Sequence, residues 1–250
     1  MASKPIMQFK AELMDAHIPI WRRFQVMNDV RFSRLAYILM TLFEMQASHL
    51  FAFDIHVANI IRKRTGDDEI AKERLARSYE DEGMAHVDIQ MPIEDDWIAD
   101  AQADMGMPVK DATKEYVKWQ ISHIGDEFTF EYDFGDGWDV RLTLEEVFED
   151  ENLSGKELPR VIEGEGFGII EDCGGVDGLE KLDKAFKMGQ GESYEEYCEW
   201  LGVDNVDLAT FDIEDMNFRL KKVPRIFCDL YEKGLVPTQQ SIDILERNYK

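Results

Sequence analysis

Phe128-Thr129-Phe130-Glu131-Tyr132-Asp133-Phe134-Gly135-Asp136-Gly137-Trp138-Asp139-Val140-Arg141-Leu142-Thr143-Leu144 is the stretch on which the fold turns. Phe128, Phe130, Tyr132 and Phe134 alternate with Thr129, Glu131 and Asp133. The alternation resumes after Gly135-Asp136-Gly137 through Trp138, Val140, Leu142 and Leu144. Successive strand side chains point to opposite faces, so this period of two means one buried face and one wet face. An Asp-Gly pair between two such runs predicts a β-hairpin, because these residues enter hairpin turn conformations at little steric cost.

Moving toward the N-terminus, Met7, Phe9, Ala11 and Leu13 alternate, and Ile18, Ile20, Phe24 and Val26 share a parity after Asp15-Ala16-His17. This predicts a second hairpin. Ser33 is the expected N-cap of a helix whose Leu35, Ile38, Leu39, Leu42 and Phe43 form one apolar stripe. Phe51, Phe53, Ile55 and Val57 then alternate as a third strand. Strand, strand, helix, strand is a β-grasp-like opening, and the predicted class is α+β with a mixed or antiparallel sheet built from hairpins.

From Asn59 to Lys118 the periodicity weakens, with a basic run Arg62-Lys63-Arg64, a charged helix expected from Asp67 to Glu82, and breaks at Pro92 and Pro108. This stretch reads as a helical insertion within a domain covering residues 1–222. Glu145 to Asp183 holds 13 acidic and 3 basic residues around a glycine-rich centre, so an irregular acidic loop is expected there. Helices are expected over Leu179–Phe186, Tyr194–Leu201 and Ile213–Leu220. Pro224 opens a C-terminal helical extension, residues 223–250, divided at Gly234 and Pro237.

A chain of 250 residues buries a sufficient core without crosslinks. Its three cysteines, Cys173, Cys198 and Cys228, suggest neither a disulfide framework nor a zinc knuckle, which fits a cytoplasmic setting. Neither a signal peptide nor a membrane span is expected from its hydropathy. The net charge of -24 repels phosphate backbones and anionic lipid, arguing against direct nucleic-acid binding and for a basic protein partner.

Ile20-Trp21-Arg22-Arg23, Ser48-His49-Leu50-Phe51-Ala52-Phe53 and Tyr132-Asp133-Phe134-Gly135-Asp136-Gly137-Trp138 resemble blocks of the plasmid pRiA4b ORF-3-like family. So do Gly164-Glu165-Gly166, Glu171-Asp172-Cys173-Gly174-Gly175, Glu195–Leu201 and Phe211–Leu220. Members of this family are also labelled passenger proteins of insertion elements. The resemblance therefore implies an accessory protein of mobile-element or phage biology. The chain departs from the family pattern at Val140, where a histidine is common, and at Gly168-Ile169-Ile170, where Cys-Pro-Pro is common. The resolvase label of some relatives finds no support, since a nucleophilic serine set among arginines is missing near the N-terminus.

Asp133, Asp136, Glu165, Glu171 and Asp172 are hard oxygen donors suited to Mg²⁺, Mn²⁺ or Ca²⁺. With His49 and Asp136 as acid-base candidates they would make a metal-dependent hydrolase or nuclease. The plainer reading makes the same acids turn and cap residues. Trp21, Arg22, Arg23 and Trp138 are candidate binding residues, although aromatics at strand parity ordinarily fill the core. One of the two arginines is expected to pair with a loop acid and the other to face solvent. His56 and His123 stand alone. Three functions follow: a non-enzymatic binding or accessory protein with an acidic face, a metal-dependent hydrolase, and an acidic DNA mimic.

Overall fold

The computed structural model describes residues 4–64, 68–92 and 109–245. Pro108, the remainder of residues 93–108 in the expected insertion, and the last five residues of the expected extension lie outside them. The paired alternating runs form β1 (Ile6–Leu13) with β2 (Trp21–Met27), and β6 (Glu127–Tyr132) with β7 (Trp138–Phe148), both antiparallel. With β3 (Phe51–His56), β4 (His86–Gln90), β5 (Val109–Asp111) and β8 (Arg160–Glu165), they build one eight-stranded sheet. Its order is β5-β4-β3-β6-β7-β1-β2-β8, antiparallel except for β4 against β5. The β-grasp-like order of elements is present, but the β6–β7 hairpin separates β3 from β1.

One sheet face carries Phe9, Phe24, Phe53, Phe128, Phe130, Tyr132, Trp138 and Val140, all buried. Phe32 packs edge-on against Phe53 and Phe128, with ring centroids 5.0 and 6.2 Å apart. This Phe32 begins α1 (Phe32–Leu42), in which Arg34 alone is not buried. The helix is covered on its far side by α7 (Ile213–Leu220) and α8 (Val223–Tyr231). Each Leu enclosed in this way contributes about 1.5–3 kcal/mol. The remaining helices are α2 (Val57–Lys63), α3 (Glu69–Asp81), α4 (Val117–Gln120), α5 (Gly175–Met188), α6 (Glu192–Leu201) and α9 (Gln239–Leu245).

Several expectations change in detail. Arg31, not Ser33, caps α1, and Ser33 is buried in its first turn. Phe134 leaves the strand parity and is exposed in the turn. The insertion read as helical also supplies β4, where Val87 and Ile89 alternate with His86, Asp88 and Gln90 over only five residues, and β5, three residues long and too short to show a period. The acidic stretch read as irregular contains β8, recognisable only through its pairing with β2, and α5 begins within it. Tail helix α8 packs Val223, Phe227 and Cys228 into the main core. The basic run is consumed in ion pairs: Arg62 holds Glu73 and Glu80 at 2.8 and 2.7 Å, Lys63 meets Glu127, and Arg64 lies 3.5 Å from Asp126.

Candidate functional site

The β6–β7 turn and the glycine loop before α5 meet at His49, which lies just before β3. Asp133 opens the turn in the left-handed region, φ 54°, a conformation Asp tolerates through local hydrogen bonds. Its Oδ1 accepts from the Gly135 N–H at 3.0 Å, which leaves Oδ2 facing His49 Nδ1 at 3.6 Å. Asp172, also left-handed at φ 61°, presents Oδ1 3.6 Å from His49 Nε2. One donor atom each from His49, Asp133 and Asp172 fall within 4.8 Å of one another.

Behind them Glu171 is buried and its acceptors are occupied. Oε1 takes hydrogen bonds from the Gln46 N–H at 2.6 Å and the Tyr132 hydroxyl at 2.5 Å, and Oε2 takes one from Ser48 Oγ at 2.8 Å. Burial, reinforced by the Glu171 carboxylate, pushes the Tyr132 phenol well above its ordinary range, so it remains a donor. Asp136 points its Oδ2 at the Gly174 N–H, 3.2 Å away, tying the turn to the loop. The fit at this joint requires Gly175, whose φ is +67° and where a Cβ would stand 2.4 Å from the Asp136 carbonyl oxygen. Cys173 is inert: burial, ahead of the nearby Asp136 and Asp172, pushes its thiol up to about 12.

Of the five carboxylates singled out from the sequence, Asp133 and Asp172 thus face His49 directly. Glu171 supports the site from below, with Oε2 4.0 Å from His49 Nε2. Asp136 braces the loop. Glu165 stands apart on edge strand β8, where it accepts from Trp21 Nε1 at 3.2 Å.

The candidate binding residues separate in the same way. Trp138 is fully buried core. Arg22, instead of facing solvent, is fully buried between Phe211 and Phe43, its guanidinium carbon 3.9 and 5.4 Å from their ring centroids. It donates to the carbonyls of Leu42, Trp21, Glu165, Gly166 and Phe167 at 2.6–3.0 Å. Burial brings its pKa down to about 9, against an opposing pull from Glu44. The Glu165-Gly166-Phe167 segment therefore turns its carbonyl oxygens toward a buried cation. Arg23 pairs with Glu145 at 2.7 Å and with Glu163. Trp21 is partly exposed under Lys10 and Arg23.

Beside His49 opens a cavity of about 340 Å³, lined by Tyr37, Met40, Phe51, Met91, Tyr231 and His49 among others. Tyr231 closes one side, its hydroxyl donating to the Ala47 carbonyl at 2.5 Å. Sequence inspection did not anticipate this cavity, since its walls come from α1, β3, the end of β4 and α8. It also left unpaired a second histidine cluster, Asp54, His56 and His86, on the outer face of β3 and β4.

Fold and mouth together define an α+β protein with one mainly antiparallel sheet, in which a hairpin turn and a glycine loop close around a histidine. The chain belongs to the plasmid pRiA4b ORF-3-like family, whose model matches residues 5–219. A similar architecture occurs in the crystal structure of a protein of unknown function, MM3350, from Methanosarcina mazei Go1. The TM-score is 0.62 at 23% identity, covering 85% of this chain and 97% of that one. A curated relative, the uncharacterized protein y4hQ of Sinorhizobium fredii, is 32% identical over 90 residues, which is 36% of this chain and 45% of that protein. Among the described residues no helix is long and apolar enough to cross a membrane.

Proposed function

We propose that the protein is a non-enzymatic binding protein, an accessory factor of mobile-element or phage biology, that captures a basic segment of a partner protein at the mouth beside His49. The observation carrying this reading is a juxtaposition. An apolar-walled cavity of about 340 Å³ adjoins a histidine whose ring nitrogens lie 3.6 Å from Asp133 and from Asp172. The cavity has the size of small-ligand pockets and would take one apolar side chain. A neighbouring Lys or Arg of the partner would meet the carboxylates at the rim. The net charge of -24 would steer such a segment inward and repel nucleic acid. All three cysteines are free, which agrees with a cytoplasmic setting.

The test is fluorescence polarisation with labelled peptides that place Lys or Arg beside Leu, Phe or Met, against acidic peptides of the same length. Binding is expected for the basic set alone, weakening with salt, and falling about tenfold in Asp133→Asn or Asp172→Asn, the loss of about 1.4 kcal/mol. Equal binding of both peptide sets, or none of either, overturns the reading.

One observation favours a second reading, hydrolysis assisted by Mg²⁺, Mn²⁺ or Ca²⁺: the His49, Asp133 and Asp172 donors lie close enough to share an ion. Against it, Glu171 and Asp136 are engaged in the fold and Glu165 lies elsewhere, so few carboxylates remain for a hard cation. Turnover of a phosphodiester by the pure protein with Mn²⁺, lost in His49→Ala, would establish this second reading in place of the first.

A further inference from the structure

The far end of β3 carries an arrangement that the mouth does not use. His56 ends β3 and stands opposite His86, which begins β4; one step along, Asp54 stands opposite Asp88. Strand alternation puts these four on one face, while Phe53, Ile55, Val87 and Ile89 point into the core. The result is a two-by-two array of imidazoles and carboxylates on the open side of the sheet. Asp54 Oδ2 lies 2.7 Å from His56 Nε2, and Asp54 Oδ1 lies 3.3 Å from His86 Nδ1. The two rings are 3.9 Å apart between centroids. Both histidines are solvent-accessible, with side chains 41% and 45% exposed, so an ion can reach them without rearrangement of the core.

On the same face Glu131 and Asp139 pair across β6 and β7 in the row next to that of Asp54, whose own row runs through Thr129 to Arg141, an arginine that pairs with Glu12. Asp88, Glu131 and Asp139 make no ion pair among the described residues, and Asp54 pairs only with the two histidines.

We propose that Asp54, His56 and His86, with Asp88 as fourth donor, form a binding site for a divalent transition-metal ion of the Zn²⁺, Ni²⁺ or Cu²⁺ class. Two imidazoles select these ions over Mg²⁺ or Ca²⁺, and one or two carboxylates complete a mixed nitrogen and oxygen set. The strand register holds the donors side by side before any ion arrives. This site is separate from the mouth, since His49 precedes Asp54 by five residues and His56 by seven, a span of up to about 23 Å at the rise of an extended strand.

The experiment is calorimetric titration of untagged, chelator-treated full-length protein with Zn²⁺ and Ni²⁺, alongside Mg²⁺. One transition-metal ion per chain is expected to bind, with no comparable Mg²⁺ event. His56→Ala and His86→Ala should each weaken binding by at least about tenfold, and His49→Ala should leave it unchanged. Cu²⁺ bound to the unmodified protein should show nitrogen couplings in its electron paramagnetic resonance spectrum. In nuclear magnetic resonance it should broaden His56 and His86 selectively, a readout that needs no variant to fold. The proposal is overturned if no transition metal binds, if the double variant His56→Ala/His86→Ala binds as tightly as the unmodified chain, or if the broadening centres on His49.

Discussion

The two histidine clusters of this protein use the same side chains and are built in opposite ways. At the mouth, His49 is met by acids from two loops held in left-handed conformations at Asp133 and Asp172, above a buried carboxylate that satisfies three donors. On the open sheet face, Asp54, His56, His86 and Asp88 sit on regular strands and owe their meeting to register alone. The first arrangement is part of what holds the fold together. The second is carried by the fold without supporting it. Residues of one chemical type therefore need not share a structural burden, and mutation should separate the two.

The largest contrast is expected between Glu171→Ala and Asp54→Asn. Removing Glu171 strands the Gln46 N–H and the Ser48 and Tyr132 hydroxyls in a buried space, and should destabilise the protein by about 3 kcal/mol or more. Asp54→Asn, on an open face, should stay within about 0.5 kcal/mol in the same urea unfolding experiment. Equal losses would erase the distinction.

Next in size is metal-dependent stabilisation. Zn²⁺ at a hundred times its dissociation constant should raise the unfolding free energy by about 2.7 kcal/mol in the unmodified protein, an effect lost in His56→Ala/His86→Ala and kept in His49→Ala. Thermal denaturation with and without Zn²⁺ reads this directly.

Gly175→Ala should cost about 2 kcal/mol, because φ is positive there and the new Cβ meets the Asp136 carbonyl. Peptide binding at the mouth should weaken in this variant while metal binding at the strand cluster persists. Loss of both together would mean that the two sites are coupled through the fold.

The smallest effect concerns pH. Asp88 has a raised pKa in the folded state, so its protonated form is favoured there. The stability it contributes is present below its ordinary pKa and is lost as pH rises through the raised one. Asp88→Asn should accordingly stabilise the protein slightly at pH 7, by under about 1 kcal/mol after solvent screening. The gain should shrink toward zero as pH falls through the raised Asp88 pKa. A gain that grew with acidification would contradict burial and the neighbouring Asp54 charge as the causes of the raised Asp88 pKa.

Much of the mouth was legible in the linear chain because it is made of local signals. Tyr132 to Trp138 encodes its own turn, and Glu171 to Gly175 its own loop, through residues that adopt unusual backbone angles cheaply. What escaped notice was which acid would face inward. Glu165 resembles Glu171 in its glycine-rich neighbourhood, yet one lies on an edge strand beside Trp21 and the other beneath His49. Arg22 likewise carries no mark in the chain of the five carbonyls that will surround it. Strand β8, rich in Glu and Gly, has a single fully buried side chain, Val161, and so offers no period to read.

By itself the sequence determined the hairpins, the amphipathic helices and the acidic character, because alternation, turn chemistry and charge act over a few residues. Only the tertiary structure decided which strands became neighbours, and with that the cavity beside His49 and the meeting of His56 with His86. The reason is physical: a period of two states which face a residue occupies, whereas backbone hydrogen bonding between distant segments determines what stands beside it.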